Sequence, residues 1–132
     1  DICPTTLTSM GKAEPELRSI PDFGETGQLI FVSVDPNRDT ASLLRTYASH
    51  FSPNMRAITG ALNELQILTK SVGAIFLKVD TDFGEYSVDH SAGLFFISPE
   101  GLLFSVLTPP LTDRDIIQRL REALEAHARL LN

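Results

Sequence analysis

The stretch Leu29-Ile30-Phe31-Val32-Ser33-Val34 constrains this chain more than any other, because it is almost wholly apolar, rich in β-formers and cut off by Asp35-Pro36. Such a run reads as a strand buried on both faces of a parallel sheet. Asp39-Thr40 then supplies a helix cap. Leu43, Leu44, Tyr47, Ala48 and Phe51 fall on one helical face before Pro53 stops the helix. Strand followed by helix is half of a βαβ unit, which commits the chain to the α/β class.

The remaining segments extend that pattern. Residues 55–59 suit a short second strand. Residues 61–72 suit a helix with Leu62, Leu65, Leu68 and Val72 on one face and Gly73 as its C-terminal cap. A strand follows over Ala74 to Val79. Asp80 to Tyr86 reads as an exposed acidic loop, with Asp80, Asp82 and Glu85 solvated. Leu94 to Ile97 and Leu102 to Leu107 are joined by Ser98-Pro99-Glu100-Gly101, the composition of a type I turn with a bulged glycine, and predict an antiparallel hairpin. Pro109-Pro110 closes it. Thr112 with Asp115 caps a last helix whose buried face is Ile116, Ile117, Leu120, Leu124 and Leu131. Upstream, a helix is expected from Thr5 or Thr6 to about Glu14, where Pro15 interrupts it, and Ser19 to Gln28 form a loop. The expected architecture is one domain over residues 1–132, with a mixed sheet and helices on both sides.

Charge narrows the partners. Acidic residues outnumber Lys and Arg 17 to 11 for a formal net charge of -6, which argues against nucleic acid and against anionic lipid. No run approaches the ~20 apolar residues of a membrane span. The single cysteine allows no internal disulfide and says nothing of redox compartment. The chain opens on Asp1 in mid-motif, so the sequence is expected to be a processed or trimmed product.

That cysteine lies in Asp1-Ile2-Cys3-Pro4-Thr5-Thr6-Leu7. Pro suits the first turn of a helix and Thr can serve its unsatisfied amides. Cys3 is then at a positive helix N-terminus, which favours the thiolate, the form that attacks disulfides and binds soft metals. A buried structural cysteine remains the alternative on this stretch alone.

Three separated stretches together resemble the Sco/SenC family of thioredoxin-like copper proteins: the Cys3 stretch, Phe31 to Thr40 with its Val34-Asp35-Pro36-Asn37-Arg38-Asp39-Thr40, and Val88-Asp89-His90-Ser91-Ala92 with the hairpin behind it. The resemblance implies a thioredoxin-like three-layer α/β/α sandwich with a mixed sheet, here lacking the N-terminal part and the central strand that precedes the cysteine motif. It implies a copper metallochaperone that helps load the dinuclear copper centre of cytochrome c oxidase. Its partners would be the copper-receiving subunit of that oxidase or another copper chaperone. Its place would be the periplasm, or the mitochondrial intermembrane space, with an N-terminal membrane anchor. The family's metal ligands are two cysteines in C-x-x-x-C and one histidine. Cys3 matches the second cysteine and His90 the histidine, while the first cysteine would fall two residues before Asp1.

The donor chemistry agrees, since Cu(I) prefers thiolate and accepts imidazole. Cu(II) is a second oxidation state for the same set, and Zn(II) would want a fourth ligand, which the acidic loop before His90 could supply. Two further readings are a thiol-disulfide oxidoreductase using Cys3 as its catalytic thiol, and a copper- or redox-sensing interaction module. Exchange needs a second, resolving thiol, and His90-Ser91-Ala92-Gly93 leads into Leu94 without the proline that reductases of this class place there. Asp35, Arg38 and Asp39 are read as loop hydrogen bonding and capping, at the strand end where α/β folds keep ligands. His50 and His127 are read as structural or solvated.

Overall fold

A computed structural model describes residues 2–74, 76–80, 86–90 and 93–131, with residues 2, 3, 77–80, 86–90 and 131 described by their backbone alone. The elements run α1 (Ile2–Leu17), β1 (Ile30–Val32), α2 (Ala41–Ser49), β2 (Arg56–Ile58), α3 (Leu62–Val72), β3 (Phe76–Asp80), β4 (Tyr86–His90), β5 (Leu94–Ile97), β6 (Leu103–Leu107) and α4 (Asp113–Leu131). Among the described residues the strands form three two-stranded ladders. β1 and β2 are parallel, with Phe31 opposite Ala57, and β3–β4 and β5–β6 are antiparallel.

The core forms where α1, α4 and α2 meet the ladders. Leu7, Met10, Ala13 and Leu17 of α1 pack with Leu29, Ala48, Met55, Leu107 and the α4 residues Ile116, Ile117 and Leu120. An aromatic series adds to it, with Phe31 5.7 Å from Tyr47 and Tyr47 5.1 Å from Phe51 between ring centroids. Tilted and edge-on arrangements of this kind favour the ring quadrupoles.

Several expectations need correction. Pro15 does not end α1. It cannot donate to the Gly11 carbonyl, yet the helix continues to Leu17, and the Arg18 amide still bonds to the Glu14 carbonyl. Burial of Leu17 and the side-chain bonds of Glu14 hold that last turn in place. β1 is not covered on both faces, because Phe31 joins the core while Ile30, on the opposite side, is 47% exposed. On α2 the buried stripe is Leu44, Tyr47, Ala48 and Phe51. Leu43 sits about 90° from its centre and is exposed. On α3 only Leu65 is buried, and Leu62 and Leu68 face outward.

The other boundaries follow from local chemistry. Thr40 Oγ1 accepts from the Leu43 amide at the start of α2. Gly73 closes α3 in the left-handed conformation, φ +78°, which costs a residue without Cβ little. In the β5–β6 turn Gly101 has φ +84° and donates to the Ser98 carbonyl, and the ladder shifts register at Phe96 and Ile97 as a bulge requires. At α4 a reciprocal cap forms: Thr112 donates its amide to Asp115 at 2.9 Å, and Asp115 donates its amide to Thr112 Oγ1 at 3.1 Å. The Asp115 carboxyl is held below its ordinary range, first by the Thr112 backbone amide and then by the Thr112 side chain. Thr112→Ala is expected to cost about 1 kcal/mol, read as a lower urea midpoint with unchanged slope.

Two arginines join α4 to α1 at the surface. Arg114 makes a two-pronged pair with Glu16, at 2.6 and 3.2 Å, and Arg121 approaches the same carboxylate at 3.8 Å. Both are solvent-exposed, so Arg114→Ala is expected to lower the thermal midpoint only slightly, an effect that high salt should erase.

Candidate metal centre

The helix that carries Cys3 is held from two sides. Toward α4, Ser9 Oγ donates to the Leu111 carbonyl at 2.7 Å, beside the buried Leu7 and Met10. Toward the α2–β2 turn, Glu14 accepts from Ser52 Oγ at 2.6 Å and Asn54 Nδ2 at 3.2 Å. Cys3 itself lies in the first turn of α1, where unpaired backbone amides carry the positive end of the helix dipole. Its side chain lies outside the described residues, as does Asp1.

His90 ends β4, directly across from Phe76 at the start of β3. The sequence did not suggest this strand. Tyr86 to His90 has no apolar run, and only its period of two, with Tyr86, Val88 and His90 on one face, could have signalled it. The acidic loop expected from Asp80 to Tyr86 is shorter than that, because these two residues are themselves cross-strand partners. Residues 81–85, with Asp82 and Glu85, and Ser91-Ala92 lie outside the described residues, as does the His90 side chain. Cys3 and His90 thus have a backbone placement, one in the first turn of a helix and one at a strand end.

Asp35, Arg38 and Asp39 follow β1 at the carboxyl end of the parallel pair. The buried Ser33 hydroxyl donates to Asp39 at 2.5 Å and accepts from the Asp35 amide at 3.2 Å, while Arg38 pairs with the Asp35 carboxylate. Thr59 Oγ1 donates to the Ser33 carbonyl at 3.0 Å and joins β2 to this turn. These residues therefore build the loop. His50 is the exposed C-cap of α2, and His127 of α4 lies against the Phe104 ring, with centroids 5.1 Å apart. Among the described residues no three His, Cys, Asp or Glu are grouped so as to hold a metal ion, and no helix is long and apolar enough to cross a membrane.

A parallel strand–helix unit, an antiparallel hairpin and a closing helix define a thioredoxin-like α/β protein. The copper-bound ScoI of Bradyrhizobium japonicum shares this fold, with a TM-score of 0.74 at 28% identity over 93% of this chain and 76% of that one. The chain belongs to the SCO1/SenC family, whose description matches residues 1–125. It is 37% identical over 111 residues to a protein of Stutzerimonas stutzeri, covering 84% of this chain and 53% of that relative. It is also 31% identical over 100 residues to the Arabidopsis thaliana protein named Protein SCO1 homolog 1, mitochondrial, covering 76% of this chain and 29% of that relative. The chain spans about half or less of the length of these curated relatives.

Proposed function

We propose that the protein is a copper-binding metallochaperone in which Cys3 supplies a thiolate and His90 an imidazole to Cu(I), and which delivers copper during assembly of the dinuclear copper centre of cytochrome c oxidase. The observation that carries this reading is membership of the SCO1/SenC family over residues 1–125, together with a structural relative that was solved with copper bound. The donor types support it: thiolate and imidazole are a soft pair suited to Cu(I), and the first turn of a helix favours the thiolate form of Cys3. In this reading the second thiolate comes from the first cysteine of C-x-x-x-C, ahead of Asp1. Metal and protein separate at the recipient, so copper is cargo. The site of action is the periplasm or the mitochondrial intermembrane space, in keeping with the mitochondrial relative.

The test is competition for Cu(I) between the longest natural chain, with its thiols reduced, and a chromogenic Cu(I) chelator. Wild type is expected to withdraw one Cu(I), and Cys3→Ser and His90→Ala to weaken it by at least about tenfold. No uptake by the reduced wild type would overturn the reading. Turnover of a disulfide substrate without Cu(I) uptake would replace it with thiol-disulfide exchange.

A further inference from the structure

The helix that bears Cys3 has a weak joint. Pro15 offers no N–H to the Gly11 carbonyl, and Gly11 is the residue least confined to helical geometry. Segment 11–15 therefore lacks one rung of its own ladder. The strongest polar grip on α1 falls at this joint.

Glu14 is 94% buried, yet its carboxylate is fully engaged. Oε1 accepts from Ser52 Oγ at 2.6 Å and Asn54 Nδ2 at 3.2 Å, and Oε2 accepts from Arg18 Nη2 at 3.0 Å. Arg18 Nη1 donates onward to the carbonyls of Gly24, at 3.1 Å, and Gly27, at 2.5 Å, in the loop that leads into β1. One carboxylate thus ties α1 to the α2–β2 turn and, through Arg18, to the 24–27 loop. Beside it the Gly11 backbone lies against the Phe51 carbonyl. The apolar contacts of Leu7, Met10 and Leu17 are non-directional and tolerate a helix that slides or turns slightly. Three charge-assisted or short hydrogen bonds do not.

We propose that Glu14 is a positioning residue. By locking the Gly11–Pro15 joint onto Ser52 and Asn54 and, through its charged bond to Arg18, onto the 24–27 loop, it fixes the axial register of α1 and so where the Cys3 turn is presented. This rests on the copper reading only for its functional meaning. Glu14→Gln keeps the shape and can still accept from Ser52 and Asn54, but it removes the charge and turns an amide donor toward the Arg18 guanidinium. Two readouts separate positioning from plain stability, both taken well below the melting temperature in the longest natural chain. One is Cu(I) affinity by chelator competition; the other, metal-free, is the rate at which iodoacetamide alkylates Cys3, identified by peptide mass.

Glu14→Gln is expected to weaken Cu(I) binding about tenfold and to change the rate of Cys3 alkylation at least about threefold, since a shifted first turn alters both the access to the thiol and the helix dipole that favours its thiolate. Arg114→Ala, which cuts only surface pairs, to Glu16 and to Asp113, should change neither. Alkylation of Glu14→Gln at the wild-type rate would overturn the proposal, whatever its melting temperature, as would an equal change in Arg114→Ala. Should Glu14→Gln fail to fold, the Ser52→Ala and Asn54→Ala variants are judged by the same rates. Should wild type take up no Cu(I), the copper reading fails and the alkylation rates still decide whether Glu14 positions Cys3.

Discussion

Gly11→Ala is expected to lower the thermal midpoint by about 10 °C, an effect of about 3 kcal/mol in a domain of this size. On helix propensity alone the change should stabilise, by roughly 0.5–1 kcal/mol, because alanine is the better helix former. Packing reverses the sign. A Cβ on Gly11 would stand 2.0 Å from the Phe51 carbonyl oxygen and 2.9 Å from its carbon, and both partners are backbone. Neither can swing aside, so α1 or the end of α2 must shift and disturb the packing of Leu7, Met10 and Ala48 around them. Gly60→Ala is the matched control, since nothing lies within 4 Å of its added Cβ and it should be close to neutral. A Gly11→Ala protein that melts at or above wild type, by circular dichroism, would contradict the close approach.

Glu14→Ala should follow at about 1–3 kcal/mol, because it leaves the buried Ser52 hydroxyl without its acceptor and cuts the bonds from Asn54 and Arg18, which water can reach. The pH dependence identifies the cause. Burial pushes the Glu14 carboxyl up, but the hydrogen bonds from Ser52, Asn54 and Arg18 and the Arg18 charge outweigh it and hold the carboxyl below its ordinary value. A carboxyl depressed in the folded state adds stability above its unfolded pKa and loses it as pH falls through the folded one. The contribution is therefore full above about pH 4.5 and disappears on further acidification. Glu16, lowered first by its hydrogen bond from Arg114, and Asp115 act in the same direction. Urea midpoints from pH 7 to pH 3 should fall more steeply for wild type than for Glu14→Gln. Parallel curves would show that Glu14 takes no part.

Much of this was legible in local chemistry. The hairpin could be read from Ser98-Pro99-Glu100-Gly101 and the caps from Thr40, Gly73 and Thr112, because each is decided within four or five residues. Strand β4 was not, since Tyr86 to His90 carries too little apolar signal and takes its strand form from its partner Phe76–Asp80. Likewise Leu43, Leu62 and Leu68 keep helical periodicity but remain exposed, because periodicity says which residues share a face and not what covers it.

Sequence alone settled the class of fold and the family, because apolar period and motif chemistry are properties of short stretches, and it singled out Cys3 and His90 as the candidate donors. Only the tertiary structure decided that α1 runs through Pro15 to Leu17 and that Glu14 is the buried point at which three segments meet. Its partners Ser52 and Asn54 are 38 and 40 residues away, and no local pattern in a sequence records a hydrogen bond of that span. Proline's local preference lost to long-range burial, since the energy of seating Leu17 and satisfying a buried carboxylate exceeds that of one missing helix rung.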